Sequence, residues 1–365
     1  MHDAVPTDPA TAPQATPIAI GSFRSVLRAL RPLVGQGAVD AAGVALPLER
    51  VGRNDTPPTV AACRMLEPHG AQTVPEASET GIVAFLDGIQ RSRVVGHLRG
   101  SPLVHGTVAA VIRRRASRQL ATWRQPLVSG TLFAARSQVG EPAWAQLLAS
   151  GVEVVDIDVP RASESRTSAT GVVNDPLHHP MAARARAIEL IALEREGAER
   201  RLAAMWCSDE REWLWIDGGI AGNLAINESA HAFGVVKSHN TLYGDDTMIR
   251  STLSLRAGQR SPVFLAGHRP RRAVASWYLR LREGGDGDPL HGLVRVEVAP
   301  PALLAANDDG APDVGVVEQL AAHADMLSSW ILAEGAPLSR PDPRWHTLTY
   351  GVHACEQYLK AIIGA

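Results

Sequence analysis

The sequence predicts an α/β protein: a mixed sheet flanked by helices, with helical additions at the N- and C-terminal ends. Three observations lead there. Two short apolar runs close on Asp-Gly, GIVAFLD at 81–87 and WLWID at 213–217. A long stretch of helical character, about 179–206, precedes the second of them. Further short apolar runs, some alternating with period two, occupy the segments around both.

Composition limits what such a protein does. A chain of 365 residues, 45% hydrophobic, has material for one large core domain or a core with a small appendage, and is not globally disordered. Its formal charge of -2 excludes a protein that coats nucleic acid by bulk charge, so any such contact has to come from a local patch. Of the 36 basic residues only Lys237 and Lys360 are lysines; the arginines offer planar, bidentate phosphate contacts, although a GC-rich coding sequence explains the same bias. Cys63, Cys207 and Cys355 lie far apart with no CxxC pair, which reads as neither a disulfide framework nor a zinc site. The N-terminal MHDAVPTDPATAPQATP has no apolar signal core, and no uncharged apolar run reaches the roughly 18 residues a membrane span needs. The expectation is a cytoplasmic protein without membrane contact.

In chain order, residues 1–20 read as a disordered tail and 21–80 as an N-terminal extension. The extension carries a helix over Ser22–Leu33, where Phe23, Val26, Leu27, Leu30 and Leu33 recur at helical spacing. Its stripe either docks a partner or packs on the chain's own sheet. The main domain is expected over 81–365. It opens with three strands, GIVAFLD, Val94–Leu98 and Leu103–Ile112, spaced as an antiparallel meander. VEVVDIDV at 152–159 alternates as a strand or hairpin. A helix over His179–Trp206 follows, with Ile188, Ala192, Leu202 and Met205 on or near one face. After WLWID come strand signals at Phe233–Lys237, Val263–Ala266, Ala273–Arg282 and Leu290–Val298. Helices over Val316–Ala333 and Tyr350–Ile363 close the chain.

An Asp at the end of an apolar strand is costly to bury unless it is paired or binds a metal. The competing explanation for Asp87 and Asp217 is that each merely begins an Asp-Gly turn. In an RNase H-like sheet, however, the first strand gains a parallel neighbour after the meander and the helix. That topology brings the two aspartates together, and a divalent cation relieves their repulsion and activates water for phosphodiester hydrolysis.

The chain resembles the NurA nucleases in FLDGIQRSR at 85–93, WIDGG at 215–219 behind a long helix, FGVVKSHNTLY at 233–243, VASWYLRLR at 274–282, LVRVEV at 293–298, and a terminal helix opened by Tyr350. The resemblance runs in order from residue 81 to 363. It implies an RNase H-like fold and an Mn²⁺-dependent (or Mg²⁺-dependent) DNA exo- and endonuclease. It also implies a homodimer and a HerA-like hexameric ATPase as partner, in DNA repair or defence. Asp87 and Asp217 match the family's first and last acids. Glu199 best matches its middle acid, with Glu196 and Glu189 as alternatives, while Glu194 points elsewhere. Tyr350 matches a Tyr opening the last helix, but Gly351 stands where the family has Pro, and Tyr358 where it has His. His353, one turn into that helix, is the candidate substitute.

Lys237, ending an apolar strand, is a candidate phosphate contact or an ordinary snorkelling lysine. His239 and Asn240 beside it are weaker candidates. Arg113, Arg114 and Arg115, with Arg118, form one basic cluster and Arg269, Arg271 and Arg272 another; either tracks a DNA backbone or is solvated surface. The His178–His179 pair reads as surface. DGGIAGN at 217–223 lacks dinucleotide-binding spacing, and there is no phosphate-binding P-loop, so any translocation needs another protein. The competing functions are a non-catalytic RNase H-like subunit that binds DNA or an ATPase, and a PIWI-like nuclease.

Overall fold

In the computed structural model the described residues are 23–35, 39–41, 57–117, 119–159, 179–221, 223–267, 273–283, 288–301, 313–335 and 345–364. The expected tail at 1–20, Arg118, His178 and the cluster Arg269, Arg271 and Arg272 lie outside them.

The strands are β1 (Val39–Ala41), β2 (Thr59–Ala61), β3 (Arg64–Met65), β4 (Gln72–Thr73), β5 (Ile82–Leu98), β6 (Ser101–Ala116), β7 (Gln119–Thr122), β8 (Leu127–Ala134), β9 (Val154–Asp156), β10 (Trp213–Asp217), β11 (Ala232–Val236), β12 (Thr241–Tyr243), β13 (Gln259–Arg260), β14 (Phe264–Ala266), β15 (Val274–Arg280) and β16 (Leu293–Val298). Fourteen of them form one mixed sheet whose main path runs β3-β14-β15-β16-β11-β10-β5-β6-β8-β9. β2 and β12 pair separately. In the centre, β5, β6 and β8 are successively antiparallel, while β10 lies parallel to β5 and β11 parallel to β10. The helices are α1 (Phe23–Gly35), α2 (Arg136–Val139), α3 (Glu141–Ala149), α4 (Pro180–Asp209), α5 (Leu224–Asn227), α6 (Asp246–Leu253), α7 (Val314–Glu334) and α8 (Tyr350–Ile363). The result is an α/β fold with a large mixed sheet between helical layers.

The β5–β10 neighbourhood follows from the long helix between them. His179 caps α4 by accepting from Met181 N at 3.1 Å, and Pro180 takes the first turn, where its missing N–H costs nothing. Ala183, Ala187, Ile188, Ile191, Ala198, Leu202, Ala203 and Trp206 then bury one face on the sheet. The alanines let the helix axis approach closely. Met205, expected near that face, is exposed, and Ala192 is half-buried. A helix of this length returns the chain to the start of the sheet, so β10 enters beside β5 in the same direction. The opposite face is covered by α7 and α8, around Phe85, Trp215, Phe233 and Trp277.

Two expectations are corrected. GIVAFLD and Val94–Leu98 are not separate strands: β5 runs unbroken through Gly88–Arg93, because β6 pairs with it from Ala84–Arg114 to Leu98–Ser101, with one irregularity between Val94 and Gly96. Asp87 therefore sits inside its strand, and only Asp217 ends one. The third strand of the meander is β8, whose LVSGTLFA joins β6 from Ala110–Leu127 to Val104–Phe133. The N-terminal helix packs on its own chain: Val26 and Leu30 are buried in a third cluster with Val95, Leu98, Leu103 and Trp144 at the far end of the β5–β6 hairpin.

Candidate functional site

β5 and β10 pair in register from Ala84–Leu214 to Leu86–Ile216, so Asp87 and Asp217 occupy neighbouring positions on adjacent parallel strands. Strand alternation turns Asp87 to the face of Phe85 and Asp217 to the face of Trp215, both toward α8. Glu199 arrives from α4 on the other face. Its carboxylate fills the space where a Cβ on Gly88 would lie, so the glycine following Asp87 is what admits it. The Asp-Gly pair thus serves as a gap in the sheet surface and not as a turn.

The electrostatics reflect this crowding. Asp87 is buried, and its Oδ1 accepts from Gly88 N at 2.8 Å. Burial, and then the Asp217 carboxylate, hold Asp87 well above the usual carboxylate range, with Glu199 adding to the rise and Lys237 opposing it. Burial pushes Glu199 up to about 7, although Arg195 works against the rise. Two cations answer the acids. Lys237 Nζ stands 2.6 Å from Asp217 Oδ1. Arg195, one turn before Glu199, pairs with it and also donates to Gln90 Oε1 at 3.2 Å. Among the described residues no three His, Cys, Asp or Glu side chains form a ready ligand cage.

A cavity of about 1670 Å³ opens beside this centre, with Glu199, Asp217, Lys237, Gly88 and Ile89 in its lining; the buried Asp87 lies behind these and does not line it. Arg91, Arg195, Arg200, Arg295 and Lys360 add positive charge around it. Glu297 also reaches the cavity. Its Oε2 accepts from Ile220 N at 2.7 Å and its Oε1 pairs with Arg295 Nη1 at 2.5 Å, clamping the chain that leaves Asp217. Gly234 makes that possible, since a side chain there would strike Gly218 O and Ile220.

The remaining candidates divide clearly. Glu196 lines the cavity beside Glu199. Glu189 does not; it is exposed and pairs with Arg186 at 2.9 Å. Glu194 faces β8, accepting from Ser129 Oγ at 2.5 Å. From α8 the cavity is lined by Glu356, Lys360 and Ile363, not by Tyr350, which is exposed at the first turn, nor by His353. The Arg113 guanidinium lies over the Tyr358 ring, its Cζ 4.4 Å from the ring centroid. Arg113, Arg114 and Arg115 are each engaged by the chain itself: Arg113 with Leu120 O, Arg114 with Glu212 at 2.6 Å in an exposed pair, and Arg115 with Glu334 at 2.8 Å. His239 is half-buried against Leu293 O at 2.9 Å and does not line the cavity. Arg195 and Glu297 escaped sequence reading. For Arg195 a signal existed, its i,i+4 spacing from Glu199; for Glu297 there was none, because it acts across a third strand.

The chain matches no protein-family model and no curated protein. Among the described residues no helix is long and apolar enough to cross a membrane, and the three cysteines are free thiols.

Proposed function

We propose that this protein is a metal-dependent DNA nuclease of the NurA kind, with Asp87, Glu199 and Asp217 as its metal-binding acids. The observation that carries the reading is the convergence of two aspartates from adjacent parallel strands with a glutamate from the helix that links them. The sheet order β8-β6-β5-β10-β11, antiparallel through β8 and parallel onward from β5, supports an RNase H-like core.

The donor set fits the cation. Three carboxylates without His or Cys suit a hard, oxygen-seeking ion such as Mg²⁺ or Mn²⁺. Burial, then the Asp217 carboxylate, raise Asp87, and burial raises Glu199 despite Arg195, so a divalent charge nearby would favour the ionised form of both. A divalent ion held by Asp87, Glu199 and Asp217 would supply an activated water and stabilise the leaving oxygen in phosphodiester hydrolysis. The chain's own cations do the rest: Lys237 and the arginines around the cavity hold phosphate oxygens and set the strand's register. In keeping with the family resemblance, the working form is a homodimer partnered by a HerA-like ATPase, since the sequence carries no nucleotide-binding loop of its own.

Plasmid and linear DNA incubated with Mn²⁺, with and without EDTA, test the proposal. Wild type is expected to cut only without EDTA, and Asp87→Asn or Asp217→Asn to lose cleavage while keeping the fold. Variants that melt far lower yet still cut would show both residues to be structural. A second reading, DNA or ATPase binding without cleavage, draws on Tyr358 standing where the family has His and being covered by Arg113; DNA retention without cutting in the same assay would favour it.

A further inference from the structure

Two of the three acids hold cations of the chain itself, and those cations line the same cavity. Lys237 and Asp217 are each about a quarter exposed at 24% and 23%, and Arg195 and Glu199 are 26% and 13% exposed, so neither pair is fully screened by water. A divalent ion on Asp217 and Glu199 takes up their charge and repels the ammonium and guanidinium already there. Lys237 has a flexible four-carbon stem on which its ammonium can swing away, and Arg195 keeps Gln90 as a second partner at 3.2 Å when it leaves Glu199.

We propose that Lys237 and Arg195 are phosphate ligands parked on the metal carboxylates, released into the cavity when a divalent cation displaces them. The inference rests on the nuclease reading and adds to it a coupling between two ligands. Before the cation arrives, the two side chains spend their charge on Asp217 and Glu199 and attract a nucleic-acid backbone weakly. Afterwards they face a cavity in which a phosphate is their natural partner. Cation binding therefore strengthens backbone binding, and by linkage the backbone strengthens cation binding by the same factor. The parked side chains also compete with the cation. Removing one should help the cation bind alone while weakening the coupling, an opposite pair of effects that a merely structural role does not produce.

The test uses the full chain, Ca²⁺ as an oxygen-seeking probe ion, and a fluorescein-labelled single-stranded oligonucleotide whose integrity is checked on a gel. Calorimetry reads Ca²⁺ binding, and fluorescence anisotropy reads oligonucleotide affinity with and without Ca²⁺. Wild type is expected to bind the oligonucleotide about tenfold more tightly with Ca²⁺, within the usual range of coupling between sites. Lys237→Met and Arg195→Met should each bind Ca²⁺ alone more tightly than wild type and lose most of that gain; Lys237→Arg should keep it. Methionine variants that retain the full coupling, or bind Ca²⁺ more weakly, overturn the inference. Cleavage with Mn²⁺ but no coupling overturns it and leaves the nuclease standing. Coupling without cleavage supports it and removes catalysis. A wild type that binds no Ca²⁺ overturns both.

Discussion

Glu199 is retained at an energetic cost that can be measured. Burial raises its pKa from an ordinary 4.5 to about 7 even with Arg195 beside it. Keeping that carboxylate ionised in the fold costs about 3 kcal/mol. The direction follows from linkage: a carboxyl with a raised folded-state pKa lends stability below about pH 4.5 and loses it as pH climbs through about 7. The raised Asp87 acts in the same direction. Glu199→Gln removes the penalty while nearly preserving shape, and Arg195 keeps Gln90. Without metal, wild type and variant should unfold alike near pH 4.5. At pH 8 the variant should be more stable by up to about 3 kcal/mol, or about 5 °C in melting temperature for a chain of this size. Mn²⁺ at about a hundred times its Kd should return roughly 2.7 kcal/mol to wild type, and less to the variant. Urea titrations across that pH range, with EDTA and then with Mn²⁺, read all of this. A variant less stable than wild type at pH 8, or a difference that stays constant with pH, would refute the reasoning.

Two further substitutions probe the architecture around the acids. Gly88→Ala puts a methyl where the Glu199 carboxylate lies, so the carboxylate must move; cleavage should fall about 100-fold, the usual cost of a displacement near 1 Å, with circular dichroism unchanged. Glu297→Ala leaves the buried Arg295 without its partner and Ile220 N without its acceptor, and urea denaturation should show a loss of about 3–5 kcal/mol, while Glu297→Gln, whose amide oxygen still accepts from Ile220, should lose less.

What the sequence made legible depended on how local each determinant is. Apolar runs and helical spacing located β10, β11, β15, β16, α4 and the last two helices, because each buries a face that its own residues define. The same logic went wrong at Asp87. The polar stretch Gln90–Arg93 reads as a break, yet β6, itself braced by β8 on its other side, pairs with β5 straight through it. β8 itself went unread because its first four residues, LVSG, are only half-buried and leave a weak apolar signal. The acids were found through a pattern, strand-Asp-Gly twice, although the physical meaning of the first Gly turned out to be different: it is the gap that receives Glu199.

The helical glutamates show where periodicity stops deciding. Glu189, Glu196 and Glu199 lie toward one side of α4, and that side meets the cavity only along part of its length. Glu189 lies ten residues before Glu199, about 15 Å along the axis, and pairs with Arg186 instead. Which acid enters the site is therefore set by where the helix crosses the sheet, a property of the close approach of α4 to Gly88 that no spacing within the helix encodes. The terminal helix makes the same point in reverse. Its buried residues Val352, Cys355 and Leu359 seat it against β5, with Gly351 tight on the Phe85 ring, and that seating turns Glu356 and Lys360 toward the cavity. His353 lies one turn before Glu356, too early on this helix to share its place. A residue at the matching step of the turn, not the nearest one of matching chemistry, is what a helix presents to a site.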